Sequence, residues 1–280
     1  MNQTLSFGIN HFIYDHSIRV IPSDISTHIH DCYELFYFIS GDVTYYIEGQ
    51  AYQLEPHDMI VTNRRELHRI VFHTQEPYER KFIHLKPELL SFLQGEDYSL
   101  FQYLEKRKLG YYNKISAKEV ISSGISSIWN KIEEATKEDT LENHLLIKLL
   151  VSQMLIEINK TYSRNKHIIM DSFDNNDKVV SVLEYINGNM EQKLTLDVLE
   201  DLFFINKYYL CHIFKQSTGF TVNEYIAYKR IMKAQELLSQ NIPVLEVADL
   251  VGYGDYSNFY KSFKRITGSS PKKYEKQKRL

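Results

Sequence analysis

The sequence is short of cysteine, of glycine-rich loops, of long apolar runs and of any large charge excess, and each shortage removes a class of protein. Its two cysteines, Cys32 and Cys211, stand far apart with no CxxC spacing, which argues against a disulfide framework and a cysteine zinc centre and fits a reducing cytoplasm. No stretch reaches the roughly 18 apolar residues of a membrane helix, and the opening MNQTLSFGINHFIYDHSIRV lacks the basic and apolar regions of a secretory leader, so no membrane partner is expected. With 36 acidic and 33 basic residues the net charge is −3, so polyanion binding by bulk charge is excluded and any nucleic-acid function must rest on a local patch. No phosphate-cradling glycine loop, nucleophile triad or paired catalytic carboxylates stand out, and neither an enzyme nor a cofactor is expected.

What is present is organised in two parts. A length of 280 residues suits two domains better than one. Residues 177–280 carry 15 Lys and Arg against 12 Asp and Glu (+3), leaving 18 against 24 (−6) before them. The basic excess narrows further to residues 227–280, with 11 against 5, which puts an electrostatic footprint at the C-terminal end. Up to about residue 90 the chain runs as short aromatic and β-branched segments between turns (YELFYFIS, VTYYIEG, AYQLEP, HDMIVTN, HRIVFHT), the pattern of a β-sandwich or barrel. Apolar spacings of three and four then predict helices over about 115–135 and 141–162. The second helix is apolar on more than one face through Leu145, Leu146, Leu149, Leu150, Met154 and Leu155. One face can dock on the β-domain and another can form a symmetric dimer, although burial within one subunit would also account for it. The polar segment 163–176 reads as a linker between domains 1–162 and 177–280.

The C-terminal domain repeats itself. FKQSTG at 214–219 returns as FKRITG at 263–268, and each copy ends a short helix, turn and second helix, LTLDVLEDL to KYYLCHIFK and PVLEVADLV to YSNFYKSFK. Asn206 and Asp255 are placed to cap the second helices, and Gly219 and Gly268 to end them. A longer amphipathic helix over 222–240 joins the modules, so that two recognition helices can enter successive major-groove segments about 34 Å apart. Core spacing assigns Leu210, Ile213, Phe214, Phe259 and Phe263 to the interior. Lys207, Tyr208, Cys211, His212 and Lys215 on the first helix, and Tyr256, Ser257, Tyr260, Lys261 and Lys264 on the second, are left to face DNA.

These residues resemble the AraC/XylS family of bacterial transcription regulators. The matching pattern runs through Tyr225, Ile226, Arg230, Ile231, Ala234, Leu237 and Leu238, then Val247, Ala248, Gly252, Tyr253, Asp255, Ser257, Phe259, Phe263, Lys264, Thr267, Gly268, Pro271 and Tyr274. Glu200 departs from it, standing where the family usually has alanine, and a carboxylate buried there would be costly. In the first domain, His28, His30, Glu34 and Gly41 resemble the first cupin motif, and a second segment ends in His68, although His57 and Arg65 replace glycines common in cupins.

The resemblance implies an α+β protein of two domains: an N-terminal cupin-like β-barrel with helices, for effector binding and dimerisation, and a C-terminal all-α tandem helix-turn-helix. The implied partners are double-stranded promoter DNA, a small-molecule effector such as a sugar or metabolite, RNA polymerase and a second copy of the chain. His28, His30, Glu34 and His68 are the effector-pocket candidates. Three histidines and a carboxylate are also apt for Zn, Mn, Fe or Ni, but the regulators of the family mostly bind their effector without metal, so none is assigned. His11, His73 and His84 stand isolated and are assigned no role. The competing reading is a cupin metalloenzyme carrying a DNA-binding appendage.

Overall fold

The computed structural model of the protein describes residues 3–22, 25–28, 30, 32–93, 98–170 and 178–278. The chain divides into two compact units, Met1–Asp174 and Asn175–Leu280. The first begins with nine strands: β1 (Gln3–Ile9), β2 (Phe12–Arg19), β3 (Ile25–His28), β4 (Tyr33–Ser40), β5 (Val43–Ile47), β6 (Gln50–Gln53), β7 (Met59–Thr62), β8 (His68–Phe72) and β9 (Tyr78–Leu85). Helix α1 (Gln102–Lys106), strand β10 (Lys114–Ile115) and helices α2 (Ala117–Ser122), α3 (Ile125–Ala135) and α4 (Leu141–Met170) follow. The strands form two antiparallel sheets, ordered β1-β2-β9-β4-β7-β10 and β3-β8-β5-β6.

Strand alternation distributes the side chains between two cores. Along β4, Tyr33, Leu35 and Tyr37 join Met59, Val61, Ile83 and Leu85 in a core with α3 and α4 that includes Trp129. Phe36 and Phe38 belong instead to a core between the sheets with Val43, Tyr45, Ile47, Ile60, Ile70 and Tyr78. The strand is therefore buried on both faces, and the period of two puts Glu34 on the same side as Phe36.

Two helical expectations change. The single helix read over 115–135 is two, α2 and α3, separated at Gly124, whose left-handed backbone (φ 79°) interrupts the ladder. Residues 163–170, read as linker, continue α4 to Met170: the segment contains no proline or glycine, and extending an existing helix costs far less than starting one. The rest of that linker, 171–176, lies outside the described residues.

The described residues of the second unit hold helices and no strand: α5 (Lys178–Gly188), α6 (Leu196–Phe203), α7 (Lys207–Thr218), α8 (Val222–Ser239), α9 (Val244–Leu250), α10 (Tyr256–Thr267) and α11 (Pro271–Lys278). Helix α8 packs against α7, α9, α10 and α11. Tyr225, Ile226, Ile231, Ala234 and Leu238 are buried along it, and Leu237 is partly buried.

Candidate DNA-binding surface and barrel site

Each helix-turn-helix is set by local chemistry. The side chains of Asn206 and Asp255 accept the N–H groups of Tyr208 and Asn258 at the starts of α7 and α10, and both helices end on left-handed glycines, Gly219 (φ 81°) and Gly268 (φ 73°). The turns use different residues for the same task. Gly252 takes a left-handed conformation (φ 83°) in the second module, whereas Phe204 (φ 52°) does so in the first and is 92% exposed. Gly252 is also tightly enclosed, because an added Cβ would lie 2.5 Å from the Met190 carbonyl oxygen and 2.8 Å from Arg230 Nη2. Arg230 holds this corner together, donating from Nε to the Met190 carbonyl (2.9 Å) and from Nη2 to the Gln192 carbonyl (2.7 Å) beneath the Tyr253 ring.

The two second helices present opposite faces to core and solvent. Leu210 and Phe214 on α7 and Phe259 and Phe263 on α10 are buried, while Ile213 is partly so. On α7, Tyr208, His212 and Lys215 are exposed, and Lys207 and Cys211 are half-buried. Lys207 is engaged, its Nζ 2.7 Å from Asp197 and its backbone N–H donating to Glu200 Oε1 at 3.1 Å. Glu200 is thus not a buried charge: it is half-exposed and serves the start of α7. On α10, Tyr256, Ser257, Tyr260, Lys261 and Lys264 are all exposed. Tyr209 and Arg265 are exposed too and were not selected by spacing; they lie on the flanks of the two apolar stripes.

In the barrel, register assembles the site. His28 is the cross-strand partner of His68 in one sheet, and Glu34 that of His84 in the other. His30 lies beyond the end of β3, so strand alternation along β3 does not place it beside His28. The rings of His28 and His68 are 4.5 Å apart between centroids, those of His30 and His68 5.2 Å, and those of His30 and His84 4.2 Å. His84, which no local motif marks, therefore belongs to the cluster and is not isolated.

Hydrogen bonds fix the donors. Glu34 is 5% exposed, its Oε1 accepting the Tyr45 hydroxyl (2.6 Å) while Oε2 lies 2.6 Å from His84 Nε2 and 3.2 Å from His30 Nε2. Burial alone would raise its pKa, but the bonds from His30 and His84 hold the carboxyl well below the usual range. It is a carboxylate that can only accept, so both ring nitrogens facing it carry hydrogen. His68 is 1% exposed, and burial lowers its pKa to about 4, leaving it neutral near pH 7. Its Nδ1 lies 2.9 Å from the Glu66 carbonyl oxygen and must donate, which leaves Nε2 as a bare lone pair without a partner. Glu66 is itself anchored by an ion pair with Arg107, both side chains fully buried. His57, standing where cupins often have glycine, takes the left-handed backbone expected of one (φ 74°) and is steadied by Tyr37 Oη at 2.8 Å.

A family model described as an AraC-like ligand binding domain matches residues 19–151, and one described as a helix-turn-helix domain matches residues 199–277. The HTH-type transcriptional activator RhaS of Enterobacter sp. (strain 638) is 23% identical over 259 residues, 91% of this chain and 88% of that protein. The uncharacterized HTH-type transcriptional regulator YbfI of Bacillus subtilis (strain 168) is 23% identical over 91% of this chain and 89% of its own. The C-terminal domain of AraT, a response regulator from Geobacillus stearothermophilus, is 31% identical over 36% of this chain and 84% of that one, with a TM-score of 0.35. The chain belongs to the AraC family of transcription regulators, with a ligand-binding β-domain and a DNA-binding helix-turn-helix region.

Proposed function

We propose that the protein acts as a dimer that reads promoter DNA with the exposed faces of α7 and α10 and responds to an effector held at the barrel's histidine cluster. The observation that carries the DNA reading is the division of α10, where Phe259 and Phe263 are buried and Tyr256, Ser257, Tyr260, Lys261 and Lys264 are exposed. Lys261 and Lys264 pair with phosphate or guanine, and the tyrosines and Ser257 hydrogen-bond or pack on thymine methyls. On α7, Tyr208, His212 and Lys215 make the corresponding contacts, with Cys211 at their edge and Lys207 entering once it exchanges Asp197 for phosphate. The effector occupies the space among His28, His30, Glu34 and His68 and is bound rather than turned over.

Dimerisation uses α4. Leu141, Leu145 and Leu149 recur every fourth residue and are exposed, Leu145 by 54%, while Ile147, Leu150, Val151, Met154 and Leu155 fill the subunit core. A leucine stripe left over after the core is packed suits an isologous contact with a second copy. On the promoter the dimer recruits RNA polymerase. For the effector to switch the protein it must bind one state more tightly than the other.

Fluorescence anisotropy of the full-length protein on DNA upstream of its own and neighbouring genes, over a salt series and with small metabolites, tests this. Tight, salt-dependent binding that one compound alters is the expected result. Absence of specific binding to every fragment would refute the DNA reading.

A further inference from the structure

The barrel cluster has a property that a pocket for a neutral organic molecule does not need: a buried imidazole whose tautomer is locked, packed among other imidazole rings. The Glu66 carbonyl takes the Nδ1 hydrogen of His68, and Nε2 is left without a hydrogen-bond partner. One nitrogen from each of His28, His30 and His68 comes within 4.8 Å of the other two. Side-chain rotation can close that spread to the about 3.3 Å between nitrogens of a tetrahedral site with metal bonds of about 2.0–2.1 Å. His30 gives one nitrogen to Glu34, so its other nitrogen is the one available to an ion. A second donor group, His30, Glu34 and His84, shares His30 with the first, but the Glu34 oxygens are already engaged by Tyr45, His30 and His84. A carboxylate gripping a ligand histidine from behind is the usual outer support of a metal centre.

We propose that His28, His30 and His68 bind a divalent transition metal ion of the zinc, nickel or cobalt type, with Glu34 as the residue that positions His30. Three imidazole ligands suit these ions and not the oxygen-seeking magnesium or calcium. His84 acts through Glu34 and not on the metal. This names the chemical class of ligand for the barrel; its regulatory consequence rests on the reading of the preceding subsection, whereas ion binding itself does not.

Full-length protein stripped with a chelator is titrated with Co(II) alone and followed by its visible d–d absorption, with bound metal counted by elemental analysis. One ion per chain, displaced by Zn(II), is the expected result. His30→Ala and His68→Gln should each weaken binding at least 100-fold, Glu34→Gln by about 10–100-fold, and His144→Ala, on α4, should leave it unchanged. Trp129 emission establishes that each variant is folded, and the partly exposed His30 keeps the test valid where the buried His68 does not tolerate replacement. No stoichiometric Co(II) binding, or binding that survives both histidine substitutions, would overturn the proposal. DNA anisotropy on the same preparations is a separate readout: intact DNA binding without a metal site sinks this inference alone, and a metal site without DNA binding sinks only the other.

Discussion

Glu66→Gln should be among the most damaging single substitutions in the first unit, although it changes neither shape nor volume appreciably. The Glu66 carboxylate is fully buried and accepts from both terminal nitrogens of the Arg107 guanidinium, from the Gly110 N–H (2.8 Å), the Asn63 N–H (2.9 Å) and Asn113 Nδ2 (3.1 Å). Oε1 receives two donors and Oε2 three, so whichever becomes the amide NH2 leaves at least two donors facing a donor, beside an Arg107 without its counter-charge. Breaking a buried pair in this way costs about 3–5 kcal/mol, against a total of about 5–15 kcal/mol for a domain. The chain's single tryptophan, Trp129, is buried in this unit, so urea unfolding followed by its emission reports the barrel and not the DNA-binding unit. The pH dependence has a definite sign. Burial tends to raise the Glu66 pKa, but Arg107 and the backbone donors outweigh it and hold the carboxyl below the usual range. The unfolded chain therefore takes up the proton first as pH falls, so the stabilisation is complete above the ordinary carboxylate range and is lost as pH drops through the folded value. Wild type and Glu66→Gln should converge in acid. A difference below about 1 kcal/mol at pH 7, or a gap that widens in acid, would refute the assignment of this pair as the clamp between β7–β8 and the segment 107–113.

Three other outcomes follow from the second unit and from α4. Lys261→Ala should weaken DNA binding across sequences and lower the salt-dependence slope by about 1, read by anisotropy over a salt series; an unchanged slope would remove Lys261 from the phosphate contacts. Gly252→Ala combines a strained left-handed backbone with a clash on Met190 and Arg230, and should destabilise the second unit by more than the about 1 kcal/mol of the backbone term, with Trp129-monitored unfolding little affected. Leu145→Asp should convert a dimer to a monomer in sedimentation without loss of fold, because the side chain is 54% exposed in the single chain; an unaltered mass would place any dimer contact elsewhere.

The C-terminal unit was legible in the sequence because its determinants are local. Helix period, Asn206, Asp255, Gly219 and Gly268 all act within a few residues of the element they define, and the 49-residue repeat states the arrangement twice. The barrel was legible only in part. Its aromatic runs announce strands, yet the first hairpin, β1 with β2, turns at His11 in a left-handed conformation (φ 66°) with no Asn-Gly or Asp-Gly to mark it. The candidate histidines at 28, 30 and 68 were found through a motif, and His84 was missed for a physical reason. It reaches Glu34 only because β4 and β9 pair in one particular register, across 50 residues of chain. A one-residue slip of that pairing would turn His84 to the opposite face. The usable sign lay in the interior alternation of β9, where Phe82 and His84 fall on one side and Ile83 and Leu85 on the other.

That difference bears on how the two units should tolerate change. In the DNA-binding unit a lost cap or a lost lysine is a local loss, and its effect stays with one module. In the barrel, His28, His30, Glu34, His68 and His84 depend on two strand pairings, β3 with β8 and β4 with β9, and on the carbonyl of Glu66, whose own carboxylate is tied to Arg107. His68 is oriented by Glu66, and Glu66 by a segment some 40 residues further on, so a substitution at Arg107 should disturb the histidine cluster without touching it. The proposed effector site is therefore coupled to the fold of its whole domain, as a site that reports ligand binding through a change of domain state requires.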